Sequence, residues 1–156
     1  MKGKLEFGCD YLQIMRELIS RGGSENPDPI ADATAKLFLL QWGFTVEEID
    51  QSNKLWFDRL SAKELENDLL VVINRIKDYI KDDRPAQERF IIEMAAVGAI
   101  DAKVTDDEAG FVRGFLEIFD LRPSEFQELC KQGSDWSIAL NYFGKEYAKA
   151  KYNVTV

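Results

Sequence analysis

The acids of this 156-residue chain are gathered where they could do chemistry. From Asp101 to Cys130 there are eight acids (Asp101, Asp106, Asp107, Glu108, Glu117, Asp120, Glu125, Glu128) and three bases (Lys103, Arg113, Arg122). That segment sums to −5, out of a chain total of −8. Asp106, Asp107 and Glu108 have a local explanation. They follow Thr105 in the first turn of an expected helix, where the dipole stabilises a carboxylate by about 0.3–1 kcal/mol. Asp101 has no such explanation. It falls at the C-terminal end of the preceding helix, where the same dipole opposes it, and a surface pair with Lys103 offsets only about 0–1 kcal/mol. A short turn would bring Asp101 back towards Asp106 and Glu108, and clustered carboxylates repel unless a cation neutralises them. The expectation is a divalent-cation site with oxygen ligands, suited to Ca²⁺ or Mg²⁺ more than Zn²⁺. The spacing is not that of an EF-hand: counting from Asp101, position 6 is Asp106 instead of Gly and position 12 is Val112 instead of Glu.

Other chemistries are excluded by what the chain lacks. With no histidine there is no Ser-His-Asp or Cys-His nucleophile and no mixed Cys/His zinc site. Cys9 and Cys130 are the only cysteines, too few for a four-thiolate site or a disulfide framework, so a reducing cytoplasm is the expected compartment. Asp10 beside Cys9, and Glu125 and Glu128 before Cys130, disfavour a thiolate at either. No phosphate loop, dinucleotide fingerprint or nucleophile elbow is present. An enzyme using paired carboxylates would need a pocket and a raised pKa that the sequence does not display, so no catalytic activity is expected. A net charge of −8 and a pI near 4.7 argue against nucleic acid and anionic membrane as partners. The longest apolar runs, Leu37–Leu40 and Leu69–Ile73, fall far short of the roughly 20 residues a bilayer needs, so no membrane insertion is expected.

The elements that must hold these residues are helical. Four capping boxes are present in sequence: Thr45 with Glu48, Ser61 with Glu64, Thr105 with Glu108, and Ser124 with Gln127. Helical stripes follow them, such as Leu65, Leu69, Val72, Ile73, Ile76 and Ile80. Pro29 and Pro85 suit first turns, with Asp28 as a cap, and Gly43 and Gly133 suit helix ends. The predicted helices cover 8–20, 29–42, 46–59, 62–82, 85–101, 106–119, 124–131 and 135–150. The fold class is therefore all-α, a compact bundle of about seven to eight helices. The expected core is Leu37, Leu40, Trp56, Leu69, Ile73, Ile76, Met94, Val97, Phe115, Leu116, Phe119 and Phe126. Trp42, Trp56 and Trp136 read as packing residues. The linker Arg21–Pro27 divides the chain into an N-terminal helix and linker (1–26), a helical domain (27–150) and a tail (151–156), with the first helix packing as an arm. A 60-residue offset aligns Thr45–Glu48 with Thr105–Glu108, Leu37 and Leu40 with Val97 and Ile100, and Leu55 and Trp56 with Phe115 and Leu116. This suggests two pseudo-symmetric halves, and it adds Glu48, the counterpart of Glu108, to the candidate metal ligands.

The stretch Met94-Ala95-Ala96-Val97-Gly98-Ala99-Ile100-Asp101-Ala102-Lys103-Val104-Thr105-Asp106-Asp107-Glu108 resembles the signature of the tellurite-resistance TerB-like family. That signature is an Ala-rich helix ending in Asp, then a small residue, a Val-Thr cap and a Glu. Phe115–Phe119 and Leu121–Phe126 continue the likeness. It departs at Ala102, where the family has Gly, and at Gln41, the first-half counterpart of Asp101. The resemblance implies a compact helical bundle with two related halves and acidic clusters that bind a divalent cation. It also implies a cytoplasmic stress-response role exercised through protein partners, some of them membrane-associated, in a family for whose domain no enzymatic activity is established. A metal-independent helical adaptor for protein–protein interaction is the alternative. The sequence leaves the oligomeric state open.

Overall fold

The computed structural model describes residues 3–20, 29–100 and 108–133, and every regular element among them is an α-helix. Helix α1 spans Lys4–Ser20, α2 Pro29–Gln41, α3 Val46–Ser61, α4 Leu69–Tyr79, α5 Arg84–Ile100 and α6 Glu108–Phe119. A seventh, α7, covers 123–133. The chain thus forms the expected all-α bundle. The expected helix at 135–150, the tail, Trp136 and the linker at 21–27 lie outside the described residues. No helix among the described residues is long and apolar enough to cross a membrane.

Local chemistry explains most helix ends. Thr45 and Glu48 form the expected reciprocal capping box at the start of α3. Gly43, at φ 91°, closes α2, with the Phe44 N–H donating to the Leu39 carbonyl. Asp83 caps α5, its Oδ1 accepting from the Ala86 N–H at 3.1 Å. Two of the expected boxes do not form. Ser61 is the last residue of α3, and α4 begins only at Leu69, capped by Asp68, whose Oδ1 accepts from the Leu70 N–H at 3.0 Å. The predicted 62–82 helix therefore loses its first turns to the α3–α4 connection. At α7, Ser124 is already inside the helix, and it is Glu125 that reaches back to the Arg122 N–H at 3.1 Å.

One core joins the elements. The sequence division set the first helix apart, yet α1 lies at the centre and packs against α2, α3, α4 and α5. Its Phe7, Tyr11, Leu12, Ile14 and Met15 are at most 1% exposed. Its apolar side chains form one broad face, and the polar residues of the opposite face, Asp10, Gln13 and Arg16, are buried too, each held by partners from other elements. Of the expected core, Trp56, Ile73, Ile76, Met94, Val97, Phe115 and Phe119 are buried. Leu37, Leu40, Leu69, Leu116 and Phe126 are half-buried. In α2 the core positions belong to Phe38 and Leu39, which lie on the opposite side of the helix from the expected pair, Leu37 and Leu40. The 60-residue offset does not align burial either. Leu55 and Leu116 are half-buried, while their counterparts Phe115 and Trp56 are buried.

Candidate functional site

Of the five acids expected to bind a cation, Asp101, Asp106 and Asp107 lie outside the described residues. Glu108 opens α6, and α5 ends at Ile100. Glu48 is described, and its Oε1 is engaged twice. It accepts from the Thr45 N–H at 2.9 Å and from Lys4 Nζ at 3.0 Å. The Thr45 N–H, then Lys4, lower its pKa from the usual range. Among the described residues, no group of three or more cysteine, aspartate and glutamate side chains is placed to hold a metal ion.

The polar residues that the fold does bring together radiate from α1. Tyr11 OH donates to Glu93 Oε1 at 2.8 Å, and Trp42 Nε1 donates to the same oxygen at 2.6 Å. Arg89 Nε donates to Oε2 at 3.1 Å, and its guanidinium lies 4.6 Å from the Trp42 ring centre. Burial pushes the Glu93 carboxyl up, opposed by the bonds from Trp42, Tyr11 and Arg89. Burial, followed by the Glu93 charge, pushes Tyr11 well above its ordinary value. On another side, Arg16 donates to Asp32 and to Asn53 Oδ1 and lies 4.5 Å from the Trp56 ring centre. Lys36 Nζ pairs with the second Asp32 oxygen at 2.9 Å, and burial lowers its pKa against that partner. Both clusters have the partners that buried charge requires, and they tie α1 to α2, α3 and α5.

The third cluster opens to solvent. Asp10, 1% exposed, is held by Arg75 from α4, with Nε on Oδ2 at 3.2 Å and Nη2 on Oδ1 at 2.8 Å. Burial raises the Asp10 pKa, and Arg75 opposes the rise. Burial also works against the Arg75 charge, and the bond and charge of Asp10 outweigh it. Arg59, near the end of α3, is placed differently. Its Nη1 stands 3.8 Å from Asp10 Oδ1, beyond hydrogen-bonding range, and donates to Cys9 Sγ at 3.5 Å. Among the described residues no oxygen acceptor lies within bonding distance of this guanidinium. These groups line a cleft of about 150 Å³ between α1, α3 and α4. Glu64, Leu65 and Glu66 of the α3–α4 connection and Tyr79 of α4 complete it. The connection is pinned by Gln13, whose Nε2 donates to the Glu66 carbonyl at 2.7 Å, and by the Glu66 Oε1 that accepts from the Asp68 N–H. Cys9, beneath Arg59, is no nucleophile, because burial pushes its thiol up to about 11.

Sequence reasoning missed this cleft. The available signal was the row Asp10, Gln13 and Arg16, three residues apart along the polar side of α1. Buried charges there need partners. The sequence does not say that those partners are Arg75, Arg59 and Asp32. No known protein family, curated protein or solved structure matches this chain.

Proposed function

We propose that this chain is a non-catalytic helical binding module whose recognition site is the cleft between α1, α3 and α4. The observation that carries the reading is Arg59. A guanidinium offers five donors in a planar fork suited to carboxylates and other oxyanions. Here it borders a cleft with one weak sulfur contact and one distant carboxylate. Cys9, Tyr11, Asp10 and Glu93 are engaged inside the bundle, so the accessible chemistry of the cleft is electrostatic recognition. The test is a thermal-shift screen of small charged compounds on wild type and Arg59→Gln. At least one compound should raise the wild-type melting temperature and leave the variant unmoved. A panel that moves both equally, or neither, overturns the reading.

A second reading, the divalent-cation site at Asp101, Asp106, Asp107 and Glu108, is supported by the end of α5 at Ile100 and the start of α6 at Glu108. A seven-residue connection carries three of the four acids between those ends. Saturating Ca²⁺ or Mg²⁺ at about a hundredfold excess over Kd should then stabilise the chain by about 2.7 kcal/mol. Asp101→Asn should abolish that gain. Equal melting temperatures with and without the ions at matched ionic strength would reject it. A cytoplasmic stress-response role with a protein partner belongs to the same proposal, and its support is the TerB-like stretch from Met94 to Phe126.

A further inference from the structure

The walls of the cleft are not held equally. α1, α3 and α4 are regular helices, and the bidentate Arg75–Asp10 pair ties α4 to α1. The α3–α4 connection, residues 62–68, has no regular structure. Its first residues stay on α3, with the Lys63 N–H on the Leu60 carbonyl and the Glu64 N–H on the Arg59 carbonyl. Its last residue, Asp68, caps α4. Among the described residues, one hydrogen bond ties the stretch between these ends to another element, the 2.7 Å bond from Gln13 Nε2 to the Glu66 carbonyl. Leu65 is half-buried and lies outside the core that Leu69 and Tyr79 pack against. Two further features weigh against this arrangement. Gln13 is 2% exposed, and its Oε1 is buried with no hydrogen-bond partner among the described residues. A buried carbonyl oxygen without a partner is costly, and water satisfies it once the site opens. Lys63 sits at φ 57°, a left-handed conformation that a lysine adopts at a cost.

We infer that residues 64–67 are a strap that opens as a unit smaller than the bundle, with Gln13 as its latch. The strap swings between Lys63, at the end of α3, and Asp68, at the start of α4. Local opening belongs to segments with few backbone bonds and little buried apolar surface, and this stretch has both properties. Glu64, Leu65 and Glu66 form one wall of the cleft, so its opening widens the way to Asp10, Arg59 and Arg75. The Arg75–Asp10 pair bonds nothing in the strap and stays in place as the strap moves. The inference goes beyond the recognition reading, since the strap opens whether or not anything binds in the cleft.

Hydrogen exchange and native-state proteolysis on the full chain test it, both in urea below the unfolding transition. The Gln13 side-chain amide protons, followed by NMR, should be at least about tenfold less protected than the backbone amides of Phe38 and Ile73. Their exchange should barely change with urea, because a small opening exposes little surface. Trypsin should cut first after Lys63, at a rate that is equally flat in urea and so tracks the open population. Gln13→Glu cannot donate to the Glu66 carbonyl and sets a carboxylate against it. That variant should speed the Lys63 cut at least about tenfold beyond any change in its global unfolding constant. If it does not fold, Asn67→Gly decides. Asn67 is exposed, and glycine gives the open strap more freedom, so the cut should quicken about two- to fivefold at a nearly unchanged urea midpoint. If Gln13 exchange and the Lys63 cut rise with urea as steeply as the core amides, the strap opens only with the bundle and the inference falls. It falls too if exchange is flat in urea but neither variant quickens the cut. Neither failure touches the recognition reading, which stands or falls on whether a compound shifts the melting temperature through Arg59.

Discussion

Cys9 and Cys130 share a residue type but not an environment. Cys9 is fully buried under Arg59 and its thiol is pushed up to about 11, while Cys130 is half-buried. At pH 8 only about one Cys9 in a thousand would be ionised, so a thiol reagent should modify native Cys130 first and reach Cys9 only on unfolding. Counting reacted thiols before and after urea checks this, and two fast native thiols would contradict the burial. Glu93 gives a prediction with a definite sign. Unfolded, it titrates near 4.5, and burial raises that value in the folded chain. The folded state therefore holds the proton more tightly. The stabilisation is complete below the unfolded value and is lost as pH rises through the folded one. Glu93→Gln does not titrate, so wild type minus variant stability should be largest near about pH 4 and shrink towards neutrality. Urea denaturation across that range measures it. A gap that grows with pH would mean that Tyr11, Trp42 and Arg89 outweigh burial. Residue chemistry was thus readable where it depended on composition, as in the lack of histidine. It was not readable where it depended on contacts 50 or more residues apart, such as Arg59 on Cys9 or Arg75 on Asp10.

Helix identity was well marked in the sequence, and helix register less so, because caps compete. Ser61 with Glu64 has the composition of a box, but α3 runs through Ser61 and closes on Lys63 at φ 57°, with the Glu64 N–H donating to the Arg59 carbonyl. Periodicity could not show that the apolar run of α3 would carry on to that point. Lysine pays a steric cost in this left-handed conformation that glycine avoids, partly offset by the greater freedom of glycine when unfolded. Lys63→Gly should therefore stabilise by a few tenths to about 1 kcal/mol, and Lys63→Ala should not. Equal urea midpoints for all three chains would mean that this turn is unstrained. Gly8 acts in the opposite sense. A Cβ there would lie 2.2 Å from Ser52 Oγ and 2.9 Å from the Phe44 ring, so α1 and α3 can approach this closely only with glycine. Gly8→Ala gains about 0.5–1 kcal/mol of helix preference but overpacks the crossing by about 1–3 kcal/mol or more, for a net loss. Ser52→Gly in the same chain should recover part of that loss, since it removes the nearest atoms. Additive single effects would contradict the clash.

At the scale of the molecule, the linker composition at 21–27 and the apolarity of α1 point in different directions, and the packing follows the apolarity. A Gly-Gly-Ser linker describes how a helix is tethered, not what it packs against. Phe7, Tyr11, Leu12, Ile14 and Met15 give α1 a broad apolar face, and the polar side chains Asp10, Gln13 and Arg16 on its other side are buried as well. Burying Phe7, Tyr11, Leu12, Ile14 and Met15 contributes about 1.5–3 kcal/mol each, or on the order of 8–15 kcal/mol together. The net stability of a domain of this kind is about 5–15 kcal/mol. The contribution of α1 is therefore as large as the whole margin, before the loss of the Tyr11, Arg16 and Asp10 partners is counted. Removing α1 would also strand Glu93, Asp32 and Arg75 beside an opened core. Deleting residues 1–20 should consequently abolish cooperative unfolding, with helical circular dichroism reduced beyond the share of the missing helix and a hydrophobic dye bound at neutral pH. A peptide covering residues 3–20, added in excess, should restore part of the cooperative transition, because it returns both the apolar side chains and the charges they accompany. An arm would behave otherwise. The truncated chain would melt in one sharp transition near the wild-type temperature, and the peptide would change nothing.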